Sequence, residues 1–301
     1  MSDILVVGSL AYDTISSPEG KAERCLGGSA NYFSMAAHRR AKVRVVGVVG
    51  EDYAPEHLDL LKNKNVDVDG LQVQQGKTFC WEGEYKGDMN EAHTLNTELN
   101  VFESFDPKIP DSYKHSSFVF LANIDPSLQL KVMEQVSQPK LVASDTMNLW
   151  IDIKKEELLK VVSKVDLLII NDGEAKQLTG NNNTIAASEK LMTMGPKAVV
   201  VKRGEFGSLV RSKDGIFVLP AYPISKVKDP TGAGDTFAGA FFGHLSTKEN
   251  PLEFSNLKEA AIQGTVFASF TVQDFGLNHI AELPEDSFEQ RLREFKEIIS
   301  L

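Results

Sequence analysis

Short apolar runs that end on polar residues, set between segments of helical period, constrain this chain more than any other feature. Ile4–Val7, Val43–Val49, Phe118–Leu121, Lys140–Ser144, Asp166–Ile170 and Ala198–Lys202 are brief and rich in β-branched residues, the pattern of strands buried on both faces. Phe33–His38, Glu56–Lys62, Ser127–Val136 and Lys154–Val162 fall between them as expected helices, and Asn256–Phe270 and Asp286–Ile299 follow near the C-terminus. Strands that alternate with helices imply an α/β fold with a mostly parallel sheet and right-handed crossovers. Two stretches break this rhythm. Ala11–Ser16 and Lys21–Leu26 flank the turn signal Ser17-Pro18-Glu19-Gly20 and predict a hairpin. Residues 71–103 carry Phe79, Trp81, Glu84 and Tyr85, then Leu95, Leu99, Val101 and Phe102, in rough two-residue alternation without a helical repeat. Segments 11–26 and 71–103 are therefore expected to form a small sheet projecting from a single domain spanning 1–301; a plain surface excursion is the alternative.

Composition narrows the function classes. The 301 residues are 42% apolar and 25% charged, enough to bury a sizeable core. A formal charge of −10 and a pI near 5.2 argue against a nucleic-acid binder. Cys25 and Cys80 make no disulfide framework and read as free thiols of a reducing compartment. The start of the chain lacks a basic region before its short apolar run, and no stretch reaches the ~20 apolar residues of a bilayer span, so a cytoplasmic location and no membrane partner are expected.

The chemically specific stretch is Lys228 to Ala240, Lys-Asp-Pro-Thr-Gly-Ala-Gly-Asp-Thr-Phe-Ala-Gly-Ala. Pro230 and Gly232 resist regular structure, whereas Phe237, Ala240, Phe241 and His244 recur at helical spacing. A glycine loop thus feeds a helix N-terminus, which is an anion site. Asp235 stands there as a carboxylate. It is either a helix cap or a group with a chemical task, such as taking the proton of a hydroxyl that attacks a bound phosphate. Other polar residues gather where open α/β sheets bind ligands, beyond the carboxyl ends of strands. Asp13 can accept hydrogen bonds from a diol, and Gly27-Gly28 at a helix entrance permits close approach to the backbone. Asn123, Asp125, Asp145 and Asn148 lie at two further strand ends, and each serves as well as a turn or cap. Asn171-Asp172-Gly173-Glu174 opens a helix, with Asp172 expected as its cap.

The string Asp229-Pro-Thr-Gly-Ala-Gly-Asp235 resembles the Asp-Thr-x-Gly-Ala-Gly-Asp signature of the ribokinase-like (phosphofructokinase-B type) carbohydrate and nucleoside kinase family. Asp13, Gly27-Gly28, Asn171-x-x-Glu174 and the turn Gly204–Gly207 follow the family's order, so the resemblance covers essentially the whole chain. It implies a ribokinase-like three-layer sandwich with a mostly parallel central sheet plus a small β-sheet lid. It also implies ATP-dependent phosphorylation of a hydroxymethyl group on a small-molecule sugar or nucleoside. In the roles it implies, Asp235 is the base, and Gly232, Ala233 and Gly234 form the anion hole. Asp13, Gly27, Gly28, Asn31 and Tyr32 face the acceptor. Lys202, Gly204, Gly207, Thr231, Phe275 and Gly276 line the nucleotide, while Asn171 and Glu174 hold Mg²⁺ through water. Asp229, with Thr231, is a candidate for K⁺. A homodimer through the lid is a further option.

The chain departs from the family at one place. The family's acceptor-binding Asn falls on Tyr32, with Asn31 one residue earlier, and on a helix that offset turns a side chain by ~100°. An aromatic there leans toward a nucleoside acceptor. A catalytically silent nucleotide- or sugar-binding protein of the same fold is the rival reading. A dinucleotide-dependent dehydrogenase is disfavoured because Gly8-Ser9-Leu10 stands where Gly-x-Gly-x-x-Gly would be, and no Gly-x-x-x-x-Gly-Lys-Ser/Thr loop is present.

Overall fold

The apolar runs lie side by side in the computed structural model, which describes residues 2–87, 89–90 and 92–300. The strands are β1 (Asp3–Val7), β2 (Ala11–Ser17), β3 (Gly20–Gly27), β4 (Lys42–Gly50), β5 (Val66–Gln74), β6 (Phe79–Tyr85), β7 (Ala92–Glu98), β8 (Phe118–Leu121), β9 (Leu141–Ser144), β10 (Leu167–Asn171), β11 (Ala198–Lys202), β12 (Ser208–Ser212) and β13 (Gly215–Leu219). The helices are α1 (Ser29–Ala37), α2 (Pro55–Asn63), α3 (Pro126–Gln135), α4 (Asn148–Ile153), α5 (Lys155–Val162), α6 (Asp172–Thr179), α7 (Thr184–Met192), α8 (Ala233–Ser246), α9 (Phe254–Thr271), α10 (Asn278–Ala281) and α11 (Glu285–Ile299). Nine strands form one sheet in the order β13-β12-β11-β10-β9-β8-β1-β4-β5. It is parallel from β5 to β11, and the hairpin β12–β13 adds an antiparallel edge.

Strand alternation explains the three layers. Along β1, Ile4 and Val6 point into one apolar cluster and Leu5 and Val7 into another, all fully buried. The first cluster takes residues from α1, α8, α9 and α11, and the second from α3 and α5. A third, between β10, β11 and α5–α7, extends that second face. Helices α1 and α8 touch closely because Gly239 has no side chain: a Cβ there would fall 2.3 Å from Phe33 O. This contact sets the start of α1, with its glycine pair, against the start of α8.

The smaller sheet is separate, with order β3-β2-β6-β7. The expected 11–26 hairpin is present as β2 and β3. The expected segment 71–103 begins inside β5, an edge strand of the large sheet, so only β6 and β7 of it belong to the small one. Edge strands alternate as ribbons do, which is why the boundary was misplaced. Helices α4 and α7 were not expected at all. In register, Asp13 pairs with Cys25 on one side and Trp81 on the other, whereas Cys80 pairs with Tyr12. Neighbouring residues of a strand face opposite ways. Cys25 and Cys80 are therefore on opposite faces with β2 between them, too far apart for a disulfide.

Gln129 of α3 ties the carboxyl ends of two strands together. Its buried Nε2 donates to the carbonyls of Leu121, Ala122 and Asp145 at 3.3, 2.9 and 3.1 Å. Gln129→Leu keeps the volume but strips these acceptors of a donor, and the expected loss is about 1–3 kcal/mol in urea denaturation. An unchanged midpoint and slope would show that the carbonyls find other partners.

Candidate active site

The loop before α8 is built for close approach. Gly232, the residue preceding the helix, adopts φ 73°, a left-handed conformation in which a side chain is strained. A Cβ at Gly232 would also meet the Tyr32 ring at 2.4 Å, so the phenol of α1 lies directly on the loop. Asp229, 1% exposed, braces the entry: its Oδ1 accepts Thr231 N–H at 2.9 Å and its Oδ2 accepts Gly276 N–H at 3.3 Å. Of the three expected anion-hole donors, Ala233 N–H is taken up by Pro230 O at 3.1 Å. The donors that the helix start leaves for an anion are those of Gly232 and Gly234.

Beside that loop, three carboxylates surround one lysine. Lys202 at the end of β11 donates from Nζ to Asp145 Oδ2 at 2.7 Å, and its Nζ lies 3.0 Å from where a Gly234 Cβ would be. Burial alone would lower the Lys202 ammonium, but Asp145, Glu174 and Asp235 override it and leave it raised. Asp235 is pushed up to about 7 by burial and by Asp145, with Lys202 pulling the other way. Glu174 is pushed up to about 8 by burial and Asp145 against the same lysine. Asp145, only 3% exposed, is thus the hub of the cluster. Sequence reasoning had it only as one of several strand-end residues; its pairing with Lys202 crosses 57 positions and left no local signal.

Asn171 and Glu174 form a reciprocal capping box: Glu174 N–H donates to Asn171 Oδ1 at 2.8 Å and Asn171 N–H to Glu174 Oε2 at 2.9 Å. The cap of α6 is therefore Asn171 rather than the expected Asp172, whose carboxylate instead meets Lys176 and Thr184. The box leaves Asn171 an amide NH₂ and Glu174 its Oε1 for outward contacts. Among the described residues no group of three or more His, Cys, Asp or Glu side chains is placed to hold a metal directly. A net-negative cluster with one outward carboxylate oxygen fits Mg²⁺, which keeps several waters and takes few protein ligands.

The acceptor-side residues converge where β2, β3 and α1 meet. Asp13 is 5% exposed. Burial pushes it up to about 8, aided by the Asp229 and Asp235 carboxylates and opposed by the Gly28 amide. Gly27 makes room for it, since a Cβ there would fall 1.8 Å from Asp13 Oδ2. Tyr32 OH is buried, and no hydrogen-bond partner satisfies it among the described residues. Asn31 donates from Nδ2 to Gly27 O at 2.6 Å and Tyr53 OH at 3.3 Å. The structure therefore brings Asp13, Gly27, Gly28, Asn31 and Tyr32 to one place, with the Asn31 amide nitrogen engaged by the fold and its buried oxygen unpartnered among the described residues.

On the other side, Gly204 and Gly207 bound a turn with φ 53° and 83°, closed by Arg203 N–H donating to Gly207 O at 2.8 Å. Phe275 lies under Lys228 Nζ, 5.0 Å from the ring centre. Gly276 touches Cys25 of β3 and supplies the amide to Asp229.

A family model described as pfkB family carbohydrate kinase matches residues 1–284. A cytidine kinase of Thermococcus kodakarensis is 34% identical over 261 residues, covering 84% of this chain and 91% of that one. The solved nucleoside kinase of Burkholderia thailandensis in complex with inosine superposes with a TM-score of 0.80 at 19% identity, over 97% of each chain. A fructokinase double mutant of Vibrio cholerae O395 in its fructose-, ADP- and potassium-bound form gives a TM-score of 0.79 at 18% identity, covering 97% of this chain and 98% of that one. The solved structures share the fold.

A carboxyl raised in the folded state binds protons that the unfolded chain releases. The stability it contributes is full below about 4 and is lost as pH rises through the folded value. Asp13→Asn removes this titration, so the variant's Tm should exceed the wild type's by more at pH 9 than at pH 5. An equal difference at both pH values would mean that Asp13 is ionised throughout.

Proposed function

We propose that this chain, which belongs to the pfkB family of carbohydrate kinases and is a phosphotransferase with an alcohol acceptor, phosphorylates the hydroxymethyl group of a nucleoside with ATP. The observation that carries this is the meeting of two raised carboxyls, Asp13 and Asp235, with Tyr32 beside the glycine loop. Asp13 accepts from the acceptor diol, and Asp235 takes the proton of the attacking hydroxyl. The N–H groups at the start of α8 and the Lys202 ammonium face the negative charge of the transferred phosphoryl group. Mg²⁺ would be held through water by Glu174 Oε1, with the Asn171 NH₂ toward phosphate or water, and supplies charge neutralisation between the phosphates. Gly204, Gly207, Phe275 and Gly276 border the nucleotide, and the smaller sheet acts as a lid that excludes water. A nucleoside is favoured over a free sugar by Trp81, which is partly exposed and stands in register beside Asp13 with its indole laid over Gly83, whereas the buried Tyr32 ring packs on the loop. The similarity to a cytidine kinase supports the same class.

Asp229 and Thr231 are candidates for a K⁺ site, supported by the potassium-bound fructokinase of the same fold. Strand β7, exposed along Ala92–Glu98 at the sheet edge, offers a pairing surface for a second copy; a monomer at all concentrations in sedimentation would remove that option.

An ADP-release screen over nucleosides, free sugars and hexose phosphates tests the acceptor: turnover is expected with nucleosides, and exclusive turnover of a sugar would overturn that choice. On the accepted substrate, Asp235→Asn should lose ~10²–10⁴ in kcat. The wild-type kcat should rise with pH through about 7, because the base acts ionised. Near-wild-type kcat in Asp235→Asn would remove the base assignment. Equal rates in sodium and potassium buffers would remove the monovalent cation.

A further inference from the structure

The smaller sheet rests on the body along the phosphate-donor side of the site. Ser17 Oγ donates to Lys228 O at 2.7 Å, Glu19 pairs with Lys226, and Gly20 lies against Phe275. At the β6–β7 connection Asn90 Nδ2 donates to Glu205 Oε1 at 3.0 Å, over the Gly204 turn. The contact nearest the chemistry comes from the last residue of β6. Tyr85, 9% exposed, shares a hydrogen bond between its hydroxyl and Thr231 Oγ1 at 3.1 Å, across 146 positions of sequence.

Thr231 is held from two directions. The body holds its backbone through Asp229 Oδ1, and the same carboxylate is also drawn down by the Thr231 hydroxyl, to which the lid adds the Tyr85 bond. It immediately precedes Gly232, whose left-handed φ turns the chain into α8. Fixing both groups of Thr231 fixes the entry to the glycine loop. We propose that Tyr85 is a positioning residue for phosphoryl transfer, its hydroxyl locking Thr231 so that the anion site is fully ordered only when the lid is down. The inference rests on the kinase reading above. It makes the lid part of the catalytic arrangement, in addition to its role as a cover. With the lid raised, Thr231 keeps its contacts to Asp229 but loses the Tyr85 bond to its hydroxyl. Transfer to a stray water is then disfavoured by the same contact that favours transfer to the acceptor.

The test uses the full chain with its accepted acceptor and compares Tyr85→Phe, Thr231→Val, the double variant and Thr231→Ser. Tyr85→Phe keeps the buried ring, and a thermal melt checks that it folds as the wild type does. Loss of one hydrogen bond that acts in the transition state predicts a kcat about three- to tenfold lower in Tyr85→Phe, with both KM values within about twofold. Thr231→Val should be at least as slow, adding Tyr85→Phe to Thr231→Val should cost nothing further, and Thr231→Ser, which keeps the hydroxyl, should be faster than Thr231→Val and still sensitive to Tyr85→Phe. The fraction of ADP released without acceptor phosphorylation should rise in Tyr85→Phe. A merely structural tyrosine would lower Tm without this non-additivity or partition. Wild-type kcat in Tyr85→Phe, or losses that multiply in the double variant, would overturn the latch while leaving the kinase reading intact. A wild type that phosphorylates no acceptor would overturn that reading and the latch with it.

Discussion

The burial of carboxylates against a single lysine, at the carboxyl edge of the large sheet, is the constraint on which the rest of the site depends. Asp145, Glu174 and Asp235 share the field of Lys202, and burial raises two of them toward neutrality. Such a cluster is costly on its own. The parallel sheet makes the arrangement possible. β9, β10 and β11 end side by side, so Asp145, Asn171 and Lys202 arrive together from three consecutive strands. Gln129 holds two of the neighbouring strand ends in place from beneath.

The smaller sheet divides its labour by face. One side carries Asp13, Cys25 and Trp81 toward the site. The other carries Tyr12, which packs with Tyr53 and His57 at ring distances of 5.8 and 5.5 Å and lies beneath Arg24 at 4.2 Å. Arg24 pairs in turn with Asp52, which accepts from both the amide and the hydroxyl of Thr78 at 2.7 Å. Asp52 stands just after the strand that ends in Gly50, a strand-end placement visible in the sequence. Its work here is to anchor the outer face of the sheet to the body.

The central strands were legible because both their faces are buried, which leaves uninterrupted apolar runs such as Phe118–Leu121 and Ala198–Lys202. The antiparallel edge carries a local signal as well, Asp214-Gly215 between β12 and β13. Strand β5 was not: Val66–Gln74 carries Asp67, Asp69 and Gly70 and is half exposed, so it reads like a lid ribbon. Helix α7 follows three asparagines that mimic a loop, although Asn183 is in fact its cap. In the candidate site, the placement of Asp235, Asp13 and the glycines at strand and helix ends was readable because local sequence sets it. Asn171-x-x-Glu174 was readable as a motif, but its mutual hydrogen bonding needed the structure. The Asp145–Lys202 pair and the Tyr85–Thr231 contact were out of reach, since each joins elements that only the fold brings together.

The smaller sheet is joined to the large one where the chain passes from β1 to β2 and from β5 to β6. Asp13 lies about three residues beyond the first crossing and Tyr85 about seven beyond the second, roughly 10 and 23 Å along their strands. For any rotation about those crossings the two residues sit on lever arms of unequal length, and the tyrosine travels about twice as far as the aspartate. A swing that breaks the Tyr85–Thr231 bond would carry Asp13 through less than half the distance that Tyr85 travels. The Asp13 carboxylate is placed near the pivot, and the Tyr85 hydroxyl that meets the glycine loop is placed at the rim.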